Sequence, residues 1–294
     1  MSNKKTILYS LFVMFLWGSL FPIVKLGFNA YNIITISDIL LFAGIRFAIC
    51  GIFISIIAYI KDSSSFTKVN ASLMPILVSG LFAIILHYAF TYTGLKYTDS
   101  SKTAILKQVG ALFYVCFSSL FFKEDRFTPK KLVGVISGFS GIVAINFTGS
   151  SFSFHIGDVL ILAASFCTVF SNIISKKIFT NVNPITSTGI SQLFGGLVLL
   201  VIGFFSGGSI NFRAGSIFIM IYICLASCIS YCLWYTTVKD GHLSKLFIIK
   251  FAEPVFAALI GGILLNENIL NTQNIIGFIF IALGIYISSS VKAD

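Results

Sequence analysis

The sequence predicts an all-α integral membrane protein with ten transmembrane helices arranged in two inverted five-helix repeats. Three observations carry this: hydropathy, an internal duplication and the placement of charge. Mean hydropathy is +0.97, with 57% hydrophobic and 10% charged residues over 294 positions, too little polar surface for a water-soluble globule of this size. Residues 88–145 match residues 231–288 without a gap, so that Tyr92 falls on Tyr235, Lys107 on Lys250, Glu124 on Glu267, Gly134 on Gly277 and Gly141 on Gly284. Lys96 falls on Lys239 and Lys102 on Lys245 in the same register. Duplicated apolar segments suit a secondary transporter, in which two related halves rock about a shared central site.

A helix crosses about 30 Å of hydrocarbon with about 20 apolar residues, which fits roughly ten spans into this length. The first, Ile7–Leu26, follows Lys4 and Lys5 and is too long for a secretory leader. Trp17, Pro22 and Lys25 stand where such a leader would carry small residues. The second is Ile34–Ile60. The third, fifth and seventh, Leu73–Thr93, Lys131–Phe147 and Ile185–Phe205, have Pro75, Pro129 and Pro184 at their starts, where a missing amide hydrogen is harmless. The fourth is Ser101–Phe122 and the sixth Ile156–Ile178. The eighth, Ser216–Val238, carries Cys224, Cys228 and Cys232 one turn apart, a line too long for one metal ion, so no metal site is expected. The ninth is Leu243–Leu265 and the tenth Gln273–Ser290. Gly134 and Gly138 on span five, and Gly277 and Gly284 on span ten, read as peripheral close-packing faces suited to dimer formation. Long continuous apolar runs without alternation exclude a β-barrel. The halves divide at 1–150 and 151–294.

A net charge of +10 would suggest nucleic acid in a soluble chain, but here the basic residues lie between spans. Lys61, Lys68, Lys123, Arg126, Lys130, Lys131, Lys176, Lys177, Lys239 and Lys292 share one side if the N-terminus is cytoplasmic, with Lys96, Lys102 and Arg213 dissenting. Both termini are therefore expected inside, in the cytoplasmic (inner) membrane. Each half then has an odd number of spans, and the second is inserted upside down.

Ionisable side chains inside a span cost about 2.5 to 3.5 kcal/mol and need a partner or water. Arg46, His87, Lys107, Lys250 and Glu253 all lie within spans. Helical spacing puts Thr103, Lys107, Gly110, Tyr114 and Ser118 on one face of span four, and the repeat maps Lys107 onto Lys250. Tyr88 and Thr91 on span three, Asn172 on span six, Gln192 on span seven, and Tyr231, Trp234 and Tyr235 on span eight offer further polar or aromatic faces. The predicted substrate site is this set together with Trp17. Lys250 and Glu253 either neutralise each other or serve the substrate; Arg46 and Lys107 have no intramembrane carboxylate in either case, and this favours an acidic substrate group. Glu253 and His87 are the central groups able to exchange protons, which makes protons a candidate coupling ion. Pro22 and Pro254 lie inside apolar spans, where each frees the carbonyl four residues back; they are candidate gating kinks. No HExxH, no GxSxG and no paired intramembrane aspartates are present, so an enzyme is not expected.

The strings FLWGSLFPIVK, FAGIRFAICG, LHYAFTYTGL, KFAEPVFAALIGGILLNE and IIGFIFIALGIYI together resemble the EamA branch of the drug/metabolite transporter superfamily over nearly the whole chain. The resemblance implies a cavity formed by spans one to four and six to nine, with spans five and ten outside it. At matching positions it implies Trp17 and Gly18 as cavity wall, Arg46 as the span-two arginine, and Glu253 with Pro254 as the span-nine element. The first repeat has Gly110 and Ala111 where the second has Glu253 and Pro254. It also implies transport of a small molecule, often export of an amino acid or related metabolite. Import of a nucleoside, an S-adenosylmethionine-like or a phosphorylated metabolite is the alternative, and a non-transporting scaffold or sensor is the alternative of another class. The expected partners are a small-molecule substrate and the lipid bilayer, with no cofactor and no nucleic acid, in a monomer or homodimer.

Overall fold

The computed structural model describes residues 3–95, 97, 103, 106–146, 155–212, 214–265 and 272–289. Lys96, Lys102, Arg213, Glu267 and Lys292 lie outside the described residues, as do the ends of the expected fourth, fifth and tenth spans. The described chain is helical throughout. The helices are α1 (Asn3–Ala30), α2 (Ile36–Lys61), α3 (Leu73–Gly80), a π-helical stretch (Leu81–Leu86), α4 (His87–Leu95), α5 (Val109–Phe121) and α6 (Pro129–Asn146) in the first half. The second half has α7 (Ile156–Ile178), α8 (Pro184–Phe205), α9 (Ile217–Asp240), α10 (Leu243–Ile249), α11 (Ala252–Leu265) and α12 (Thr272–Ser289). α3 and α4 form the third span and α10 with α11 the ninth, which makes ten crossings. Among the described residues seven helical stretches are long and apolar enough to cross a bilayer by length and composition.

Local chemistry explains where the spans begin. Thr35 and Asp38 form a capping box at the start of α2, and Asp38 also accepts the amide of Ser209 at 2.7 Å, fastening α2 to the segment after α8. Asn183 caps α8 with Pro184 as its first residue. Outward faces carry Ile60, Leu120 and Phe218, each more than 70% exposed, an apolar perimeter that only lipid can cover.

Glycine holds the bundle together. A Cβ built on Gly44, Gly51 or Gly203 would lie 2.3–2.4 Å from the backbone nitrogen of Leu200, Leu193 or Leu41, so α2 and α8 run antiparallel in near backbone contact. α6 and α12 pair in the same way: Gly134 abuts Gly284, and Gly141 abuts Gly277. The glycine faces expected to support a dimer are thus consumed within one chain, because spans five and ten need small residues to approach each other. Spans two and seven, like five and ten, occupy equivalent places in the two repeats. Tyr88 and Tyr231, equivalent in the duplication, meet hydroxyl to hydroxyl at 3.3 Å. An inverted two-fold relation accounts for all three pairings.

Gly196→Val tests this packing. The added side chain would lie 2.2 Å from the backbone nitrogen of Ala48, which cannot rotate away. The variant should lose about 1–3 kcal/mol and melt earlier in detergent. Gly215→Val, with nothing within 4 Å of its Cβ, should melt like the wild type.

Candidate functional site

A cavity of about 630 Å³ lies between the halves, within the range that holds a small ligand. α1 contributes Trp17, Phe21, Pro22 and Lys25, and α2 contributes Arg46. α4 contributes His87, Tyr88, Thr91 and Tyr92, followed by Thr103, Lys107 and Gln108. From the second half come Thr168, Ser171 and Asn172 of α7, Tyr231, Trp234 and Tyr235 of α9, Lys250 between α10 and α11, and Glu253 and Pro254 of α11. The cavity extends from mid-bundle toward the end that carries Ala30 and Leu265.

Two breaks in helical geometry present the lysines. α10 ends at Ile249 and α11 starts at Ala252, which leaves Lys250 in the turn between them, while Lys107 and Gln108 form a turn before α5. These sites are equivalent in the duplication. Interrupted helices at a repeat interface are tolerated where irregular backbone lines a cavity. Pro254 accordingly stands in the first turn of α11 rather than at a mid-helix kink, and the Lys250 carbonyl that it was expected to free accepts the Glu253 amide at 3.0 Å. Pro22 remains inside a continuous α1. Gly18 of α1 packs on the Glu253 carbonyl and Phe256, which seats α1 directly on this junction.

The cations rest on rings and hydroxyls rather than on carboxylates. Arg46, 4% exposed, donates from Nε to Ser227 Oγ at 2.9 Å and lies 4.8 Å from the Phe47 ring centroid. Lys107 Nζ lies 5.0 Å from the Phe21 ring and Lys250 Nζ 5.6 Å from the Trp17 ring. Such contacts stabilise a desolvated cation by about 0.5–2 kcal/mol without using up its N–H donors. Among the described residues no ion pair joins Lys250 to Glu253, and Glu253 Oε2 is buried without a hydrogen-bond partner. Lys250 and Glu253 therefore share the cavity wall without a direct ion pair.

The rest of the wall is an ordered polar and aromatic network. The π-helical stretch ends at His87, where the extra residue per turn resets the face that follows. His87 Nδ1 donates to the Ala164 carbonyl at 3.1 Å, because a carbonyl only accepts, and it lies 3.1 Å from Thr168 Oγ1. In the tautomer that makes this bond Nε2 is left as the basic nitrogen. Trp234 Nε1 donates to Asn172 Oδ1 at 2.7 Å, and its ring packs 5.2 Å from that of Trp17. Thr91 Oγ1 and Thr103 Oγ1 are buried without partners.

At the opposite end the bundle is sealed. Asp125, 1% exposed, accepts Lys131 Nζ at 2.7 Å, Tyr114 OH at 3.1 Å, the Ser244 amide at 2.9 Å and the Ser244 hydroxyl. Lys176 donates to the Gly241 carbonyl nearby. Burial opposes ionisation of Asp125, but the Lys131 ammonium and the Ser244 donors outweigh it and hold the carboxyl below the usual carboxylate range. Burial also lowers His242, whose Nδ1 lies 3.9 Å from Asp125 Oδ1.

The structure therefore gathers Trp17, Arg46, His87, Tyr88, Thr91, Lys107, Asn172, Tyr231, Trp234, Tyr235, Lys250 and Glu253 around one cavity, and it does not bring Tyr114 or Gln192 there. Tyr114 is turned to Asp125 and stacks near Phe247, and Gln192 is buried in α8 with its amide unsatisfied. The sequence reading missed Lys25, Gln108 and Ser171. Ser171 was legible: it lies on α7 one residue before Asn172 and three after Thr168.

A cavity shared by two inverted halves narrows the comparison to duplicated carriers. The EamA-like transporter family matches residues 4–147 and again 155–290. The chain belongs to the EamA-like transporter family. This EamA-like chain, within the drug/metabolite transporter superfamily, is thus a multi-pass membrane protein. It is 27% identical over 288 residues to an "Uncharacterized transporter" of Archaeoglobus fulgidus, covering 97% of this chain and 98% of that protein. It is 28% identical over 271 residues to "Uncharacterized transporter YvbV" of Bacillus subtilis, covering 90% and 85% respectively. A crystal structure 18% identical in sequence superposes with a TM-score of 0.80 over 97% of this chain and 96% of that one, so the two share a fold.

Proposed function

We propose that this EamA-like protein is a secondary active transporter that carries a small polar metabolite across the cytoplasmic membrane by alternating access. An amino acid or related metabolite moving outward is the reading the family favours. The observation that carries the proposal is one cavity lined by ionic and aromatic side chains of both halves and sealed at one end by the Asp125 network. Rocking of residues 1–150 against 151–294 would break that seal and close the opposite end. With both termini cytoplasmic, the cavity faces outward. Trp17, Tyr88, Tyr231 and Trp234 form walls for the solute, and Arg46, Lys107, Lys250 and Glu253 its polar contacts. Glu253, with an unpartnered Oε2, and His87, with a free Nε2, are the groups that would take up and release protons.

Flux into proteoliposomes of radiolabelled amino acids, nucleosides and phosphorylated metabolites, with and without a pH gradient, tests this. Saturable, solute-specific flux is expected, and Glu253→Gln should flatten its dependence on the gradient. A panel without saturable flux would favour a scaffold or sensor. An unchanged pH profile in Glu253→Gln would remove that residue from coupling.

A further inference from the structure

The charge inventory of the cavity points beyond the general reading. Among the described residues its wall holds Lys25 at the exposed rim and Arg46, Lys107 and Lys250 deeper in, against the one carboxylate of Glu253. Several like charges in a largely desolvated interior repel one another, and each costs free energy that rings and water recover in part and an opposite charge more fully. Among the described residues no protein carboxylate lies within ion-pair distance of Arg46, Lys107 or Lys250, and aromatic rings support all three. Among the described residues their remaining N–H donors have no hydrogen-bond partner, which leaves them open to water or a solute. A guanidinium has five donors, of which Arg46 commits Nε to Ser227. The first turn of α5 begins beside Lys107 and Gln108, so the positive end of a 13-residue helix adds to the same field.

We infer that the solute is a small organic anion carrying more than one acidic group, with those groups reaching Arg46, Lys107 and Lys250 and its carbon body lying on the aromatic wall. This rests on reading the cavity as the solute site of a transporter. A zwitterion would satisfy Glu253 and one cation but leave the surplus uncompensated. A cationic solute would add to the surplus and gain only Glu253. Lys25 at the rim would draw anions toward the opening.

The chain's two tryptophans, Trp17 and Trp234, both line this cavity, so selectively excited tryptophan emission reports on it. The probes are cyclohexane dicarboxylate, its diamide and the matching diamine, which share size and body and differ in charge. With purified protein in detergent, the dicarboxylate should change the emission saturably at a concentration at least about tenfold lower than the diamide, the margin expected for a charge-assisted hydrogen bond. The diamine should have no effect. Lys107→Gln and Lys250→Gln should each weaken the dicarboxylate response while keeping the helical circular dichroism of the wild type, which verifies the fold. Equal responses to all three probes, a stronger response to the diamine or diamide, or no response to the dicarboxylate would each overturn the inference. Saturable flux of a neutral or cationic solute in proteoliposomes would overturn it while leaving the transporter reading intact.

Discussion

Asp125→Ala should destabilise the protein by about 3–5 kcal/mol, the usual effect of removing one partner from a buried ion pair. The carboxylate is the common acceptor for Lys131, Tyr114 and both donors of Ser244, so its loss leaves the Lys131 ammonium buried with only the Arg126 carbonyl at 2.6 Å. It also unfastens the turn before α6 in the first half from the start of α10 in the second. The melting temperature in detergent should fall on the order of 10 °C. Asp125→Asn, which keeps the shape but not the charge, should fall in between. A melting temperature within about 2 °C of the wild type for Asp125→Ala would show that the network is not what holds this end closed. The pH dependence follows in sign. The folded-state pKa values of Asp125 and His242 both lie below their unfolded values. Their contribution is therefore present above the unfolded values and lost as pH falls through the folded ones. Acid should weaken the sealed end first in the wild type, and Asp125→Ala should lose the carboxylate part of that dependence.

Lys107→Met and Lys250→Met should each raise the solute concentration for half-maximal flux by about 10–100-fold, the equivalent of losing one hydrogen bond to a charged group. The two effects should be of similar size, because the residues occupy equivalent breaks in the two repeats and face one cavity. Lys250→Arg should retain more transport than Lys250→Met, since it keeps the charge over Trp17. Lys25→Met should have a smaller effect, because an exposed rim charge is screened by salt. Unchanged flux in both methionine variants would remove the lysines from the solute path.

Hydropathy and duplication made the ten spans legible, because lipid requires long apolar runs and the repeat fixes their order. The breaks in the fourth and ninth spans were less so. Around Lys107 the run ILKQVG has neither proline nor an adjacent glycine pair to mark a turn. Reading span four as one continuous helix placed Thr103, Lys107, Tyr114 and Ser118 on a single face. The turn at Lys107 and Gln108 rotates the later part, so Thr103 and Lys107 stay at the cavity while Tyr114 and Ser118 swing onto Asp125. Gln192 failed for another reason. It is one polar residue on a helix whose small residues serve the contact with α2, and a single amide carries no periodicity to show which neighbour it faces. The glycines showed close packing but not its partner, since one chain's spacing does not say whether the other helix belongs to the same molecule.

The claim on which these expectations rest is that one cavity between the halves is reached alternately from the two sides of the membrane. Ala258 lines that cavity and tests it directly as Ala258→Cys, in a variant with the native cysteines replaced. A membrane-impermeant thiol reagent should label it from the side carrying the Ala30 end of α1, and a saturating transported solute should make it labelled from the opposite side as well or slow the first reaction. Labelling that never occurs from either side, or that proceeds from one side at a rate no solute alters, would contradict the account.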